Sequence, residues 1–151
     1  MKTLILGLGN SVRADDGVGL YVARSLQEKI NSPDIIISES PGAGLDILEL
    51  LTGYDRVILI DAIQTVGGQA GQVYCLGVQA LKTTRHALNP HSADIATSLE
   101  VGRRLGLPLP SIITIFAIEI ADADSFSEEC TPAVSRAIPV CVDMILKELK
   151  K

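Results

Sequence analysis

An α/β fold, a mainly parallel sheet with helices on both faces, is what this sequence predicts, and three observations carry the prediction. Lys2 to Leu8 is an apolar run that leads into a glycine-containing loop and then into helical spacing, the strand, loop and helix of a first α/β unit. Val57 to Ile60 and Ile112 to Ile118 are unbroken apolar runs, the pattern of strands buried on both faces of a parallel sheet. Helical periods separate these runs, so crossover helices join parallel strands and bring their C-terminal ends to one edge.

After the first strand, Val18, Val22 and Leu26 recur at helical spacing until Asn31 to Asp34 breaks the pattern. Ile35 to Glu39 is a β-branched strand, and Pro41 to Gly44 is a loop. Leu45, Ile47, Leu48 and Leu51 mark a second helix ending near Gly53. Arg56 to Asp61 reads as a buried strand that ends in a carboxylate. Gly67, Gly68 and Gly71 punctuate an antiparallel excursion into Val73 to Leu76. Lys82 to Ser92 lacks a period and reads as a loop holding both histidines, His86 and His91. Ile95, Leu99 and Leu105 predict a helix up to Gly106, and a further buried strand follows over Ile112 to Ile118. Thr131 to Lys150 is helical, with Pro139 expected to kink or divide it.

Hydrophobic residues make up 47% and charged residues 21% of the 151, the composition of one globular domain over 1–151. The apolar stretches fall short of the ~20 residues that span a bilayer, so no membrane insertion is expected. The N-terminal run ends in glycine and asparagine and fits a first strand better than a signal peptide, which points to a cytoplasmic protein. Cys75, Cys130 and Cys141 have neither disulfide-framework nor zinc spacing and are expected as buried thiols. A formal net charge of −5, no tryptophan and few other aromatics give no surface for stacking bases, so no nucleic-acid partner is expected.

The first loop carries the chemistry. Gly7 and Gly9 supply two positions of a dinucleotide fingerprint whose third falls on Val12, and Asp15 and Asp16 sit where a phosphate would bind. Acids at a helix start repel a phosphate and attract a cation or a peptide N–H. If the strand ending at Asp61 lies beside the first, these carboxylates converge at the switch point, and His91 lies in a segment able to fold over the same edge. Two carboxylates and an imidazole suit a borderline divalent cation such as nickel, zinc or cobalt, with a position left open for substrate. The structural alternatives are a capping role for Asp15 or Asp16, an Asp61 bonded to loop N–H groups, and histidines satisfied locally. Glu39 and Glu119, near strand ends, read as polar loop acids held in reserve. No nucleophile elbow or Ser-His-Asp order suggests a serine hydrolase.

Through Gly7 to Asn10, Asp15 to Gly19, Leu59 to Ala62 and Asn89 to Ser92, the chain resembles the nickel-iron hydrogenase maturation proteases. The similarity runs over nearly the whole length, including Ile95 and Leu99 spaced after His91 and the closing Thr131 to Val134. It implies a three-layer α/β sandwich, phosphorylase/hydrolase-like, and an endopeptidase that removes a C-terminal extension from the hydrogenase large-subunit precursor once nickel is inserted. The family's metal-contacting residues map by motif onto Asp16, Asp61 and His91, which are also the catalytic candidates, their separate roles unassigned. His86 has no counterpart. The nickel implied is carried by the precursor, and another divalent cation can stand in for it. The family often has glutamate at position 16, so Asp16 reaches one methylene less; Gln64 and Ala70 with Gly71 replace a further acid and a Pro-Gly pair. These departures bear on which hydrogenase class is served. The rival readings are a non-catalytic nickel-dependent chaperone of the precursor and a nucleotide-binding module.

Overall fold

The computed structural model describes residues 1–41, 45–77 and 90–151, apart from the side chains of residues 45 and 90–94. The strands are β1 (Thr3–Leu8), β2 (Ile35–Ser40), β3 (Arg56–Ile63), β4 (Val73–Gly77) and β5 (Ile112–Glu119). The helices are α1 (Val18–Lys29), preceded by a 3-10 turn over Ala14–Gly17, α2 (Leu45–Leu51), α3 (Pro90–Arg104) and α4 (Pro132–Leu149). The five strands form one sheet in the order β2-β1-β3-β5-β4, parallel except for β4, which runs antiparallel to β5.

Strand pleating divides the core in two. Ile5, Ile58 and Ile60 pack with Val22 and Leu26 of α1 and Ile145 of α4. Leu4, Leu6 and Leu59 turn the other way and pack with Ile47 and Leu51 of α2 and Leu99 of α3. The result is the three-layer α/β sandwich expected from the sequence. Each of these fully buried aliphatic side chains contributes about 2 kcal/mol.

One contact decides how closely α1 approaches the sheet. A Cβ on Gly19 would lie 2.4 Å from the Ile60 carbonyl oxygen and 2.6 Å from that of Leu8, and a Cβ on Gly7 would lie 2.5 Å from the Gly19 oxygen. The glycines of the opening motif thus let the first turn of α1 rest directly on β1 and β3.

The structure corrects several expectations. β3 continues past Asp61 to Ile63, because Ala62 and Ile63 still pair with β5, so Asp61 lies inside the strand and not at its end. α3 begins at Pro90, with proline in the first-turn position that needs no N–H, so the loop expected over Lys82 to Ser92 gives way to helix at residues 90–92; residues 82–89 lie outside the described residues. Leu105 follows α3 and is exposed. α4 runs unbroken through Pro139, which faces solvent while Ala137, Cys141 and Ile145 hold the buried side. Of the three thiols only Cys141 is buried, and burial pushes it up to about 12; Cys75 is exposed and Cys130 half-buried. Among the described residues no helix is long and apolar enough to cross a membrane.

Candidate active site

The strand order creates a crevice. From β1 the chain crosses by α1, on one face, to β2, and returns by α2, on the other face, to β3 on the far side of β1. The connections leaving the C-terminal ends of β1 and β3 therefore diverge, which is where open α/β sheets bind ligands. The 3-10 turn carrying Asp15 and Asp16 follows β1, and Asp61 stands near the end of β3.

Asp16 is half-exposed, and its Oδ2 accepts the Asn10 N–H at 3.0 Å. That N–H is one a bound phosphate would use, so the loop is closed upon its own carboxylate, against the nucleotide-binding reading. Gly9 makes the approach possible: its φ is 142°, and a Cβ there would lie 2.1 Å from the Asp16 carbonyl oxygen.

Three acids are buried at this edge, and they differ in one respect. Asp15 accepts hydrogen bonds from the N–H groups of Ala121, Asp122 and Thr131 and from the Thr131 hydroxyl. Glu119 accepts from the Thr65 N–H and hydroxyl and from the Tyr74 hydroxyl, which makes it an interior brace for the β3–β4 connection and not the polar loop acid expected. Among the described residues Asp61 accepts only from the N–H of Ala62, at 2.8 Å, and its Oδ2 has no partner. Leaving such an oxygen buried and unbonded is costly, so its retention is a functional signal.

Burial raises the pKa of Asp61 well above the usual carboxylate range; the neighbouring charge of Asp16 adds to the rise, and the Ala62 N–H works against it. Among the described residues no ion pair reaches either acid. An unpartnered buried oxygen beside a second carboxylate, with no basic side chain paired to either, fits a cation. No cluster of three or more metal-ligating side chains occurs among the described residues, a set that excludes the His91 side chain.

The backbone nevertheless fixes the edge at which His91 lies. Asp61 alternates with Val57 and Leu59, so it belongs to the face covered by α2 and α3. The segment after α3 returns to the opposite edge, where the Gly53 N–H donates to the Pro108 carbonyl before β5 begins. The 15 residues of α3 span ~22 Å, so its first turn, with His91 second in the helix, stands at the edge of Asp61. His86 lies outside the described residues.

Beside this loop an open pocket of about 220 Å³ is lined by Asn10, Ser11, Arg24 and Glu39. Arg24 forks onto Glu39, with Nη2 to Oε1 at 2.9 Å, so this reserve acid is engaged in an ion pair. Both side chains are substantially exposed. Arg24→Ala is expected to lower stability by less than about 1 kcal/mol, measured by thermal denaturation.

An open α/β crevice at the switch point, with a buried and a half-exposed acid at its edge, has the form of an α/β enzyme site. A family model described as HycI, hydrogenase maturation protease, matches residues 20–148. The hydrogenase 2 maturation protease of Escherichia coli is 26% identical over 155 residues, covering 100% of this chain and 92% of that protein. Among solved structures, the maturating endopeptidase HybD of Escherichia coli superposes with a TM-score of 0.83 at 23% identity, over 99% of this chain and 93% of that one. The nickel-iron hydrogenase maturation protease HybD of Thermococcus kodakarensis gives 0.73 at 26% identity, over the whole of both chains. The chain belongs to the hydrogenase maturation protease family and is an endopeptidase.

Proposed function

We propose that the chain cleaves the C-terminal extension of a nickel-iron hydrogenase large-subunit precursor, and that Asp16, Asp61 and His91 recognise nickel already seated in that precursor. The observation that carries this reading is the buried, unpartnered Oδ2 of Asp61 beside the like charge of Asp16. That arrangement disfavours the free protein and is relieved by a divalent cation. Carboxylates with an imidazole suit nickel, and a related divalent ion can replace it. His91 is assigned to the set on two supports, the motif that carries it and the start of α3 at the edge, and on the face, of Asp61. Nickel is in this account part of the substrate, so its presence gates cleavage and a precursor without it lacks the anchor.

Docking by the metal places the scissile peptide at the mouth of the crevice, where proximity lowers the barrier to attack by water. Asp16, Asp61 and His91 are the candidates to exchange a proton with that water. Free thiols at Cys75, Cys130 and Cys141 suit a reducing compartment, and we place the reaction in the cytoplasm.

Incubation with nickel-loaded and nickel-free precursor, read by intact mass, tests the proposal. Only the nickel-loaded form is expected to lose the extension. Equal cleavage of both forms, or of neither, overturns it.

A further inference from the structure

Asp15 and Asp16 are adjacent in sequence and opposite in circumstance, and we infer that Asp15 is the positioning residue that holds Asp16 at the crevice. The inference deepens the proteolytic reading above and rests on it for its functional consequence. The Asp15 side chain is wholly buried. Its Oδ1 accepts the Thr131 N–H at 2.6 Å, and its Oδ2 accepts the N–H groups of Ala121 and Asp122 at 3.0 Å and the Thr131 hydroxyl at 2.8 Å. A carboxylate has about four lone-pair sites, so Oδ2 is saturated, and Oδ1, wholly buried and already bonded, is poorly placed for a cation or a substrate.

The backbone around it is fastened to the same segment. The Asp15 N–H donates to Asp122 O at 2.9 Å, the Ala14 N–H to Ser127 O at 2.9 Å, and the Ser127 N–H to Val12 O at 3.0 Å. Ala14 is held at φ 44°, a conformation that residues with a Cβ rarely adopt. These bonds tie the turn to the connection between β5 and α4, and Thr131 is the residue at which α4 begins. Asp16 has much less to hold it: among the described residues its carboxylate takes one bond, from Asn10. The place of Asp16 is therefore inherited from the backbone that Asp15 clamps, and the two acids divide the work, one fixed in the frame and one free toward the ligand.

Thr131→Val removes one donor to Asp15, Thr131→Ser keeps it, and Asp15→Asn removes at least one acceptor. The first readout is amide hydrogen exchange at Asn10, which reports where the Asp16 carboxylate lies and needs no substrate. Exchange at Asn10 is expected to rise about tenfold in Thr131→Val and to return to the native rate in Thr131→Ser. The second readout is processing of nickel-loaded precursor by the full chain, at a temperature where each variant is folded by circular dichroism. There kcat is expected to fall about tenfold in Thr131→Val, more in Asp15→Asn, and to recover in Thr131→Ser, with KM within about threefold. Native exchange at Asn10 in Thr131→Val, or native kcat per folded molecule with only Tm lowered, overturns the inference. If the unaltered protein processes nothing, the proteolytic reading fails, and the Asn10 exchange still decides whether Asp15 positions Asp16.

Discussion

Asp61→Asn is expected to reduce precursor processing at least about 100-fold while leaving the free protein no less stable at neutral pH. The loss follows from removing a buried carboxylate oxygen that has no partner among the described residues. The stability result follows from the direction of its pKa. A carboxyl whose native pKa is raised binds its proton more tightly folded than unfolded. The stability it contributes is complete below the ordinary carboxylate value of about 4, and is lost as pH rises toward the raised native value. Asparagine has no such dependence, so thermal denaturation of metal-free protein should show the variant gaining on the native chain as pH climbs from about 4. A variant that loses processing and also unfolds at neutral pH would make Asp61 a structural acid.

Gly19→Ala is expected to destabilise the fold by about 3 kcal/mol, the upper part of the range for overpacking. The added methyl would meet two backbone oxygens, of Ile60 and Leu8, which cannot swing aside as a side-chain terminus can. Relief requires α1 to lift from β1 and β3, and α1 begins immediately after the turn that carries Asp16. For a chain of this size the cost corresponds to a Tm lower by roughly 10 °C, checked by calorimetry. Processing should fall beyond what the unfolded fraction explains, because a lifted α1 carries Asp16 away from Asp61. A variant with native Tm would show that helix and sheet approach less closely at Gly19 than its contacts with Ile60 and Leu8 require.

The layers were legible because burial imposes periodicity: Val18, Val22 and Leu26 sit on one core, and Val57 and Leu59 on the other. The strand order was not, since the adjacency of β1 and β3 stood only as a condition and backbone pairing sets it. Antiparallel β4 was legible from the glycines that precede it. The end of β3 was not, since nothing in Ala62 or Ile63 signals a boundary and pairing with β5 sets it. The start of α3 was missed for want of an apolar period in its first turn, although Pro90 offered the cue of a proline suited to that position. At the site, spacing and patterning could not distinguish Asp15 from Asp16, and only the motif resemblance chose Asp16, because the physical distinction is made by Ala121, Asp122 and Thr131, more than a hundred residues away. Thr131 carried a visible signal, a threonine before a proline at a helix start, but that pattern announces a helix cap and says nothing of a distant carboxylate. Glu119 was misjudged for the same reason, its partners Thr65 and Tyr74 being supplied by tertiary contact.

If Asp16, Asp61 and His91 grip nickel that arrives within the precursor, the ligand set of that nickel must change when the protease docks. Nickel-edge X-ray absorption of loaded precursor, frozen alone and with the protease, reads that change. Added oxygen and nitrogen ligands at nickel are expected in the complex, diminished for Asp16→Asn, Asp61→Asn and His91→Ala. A nickel environment identical with and without the protease, in a mixture where the two proteins are shown to be bound, would contradict it.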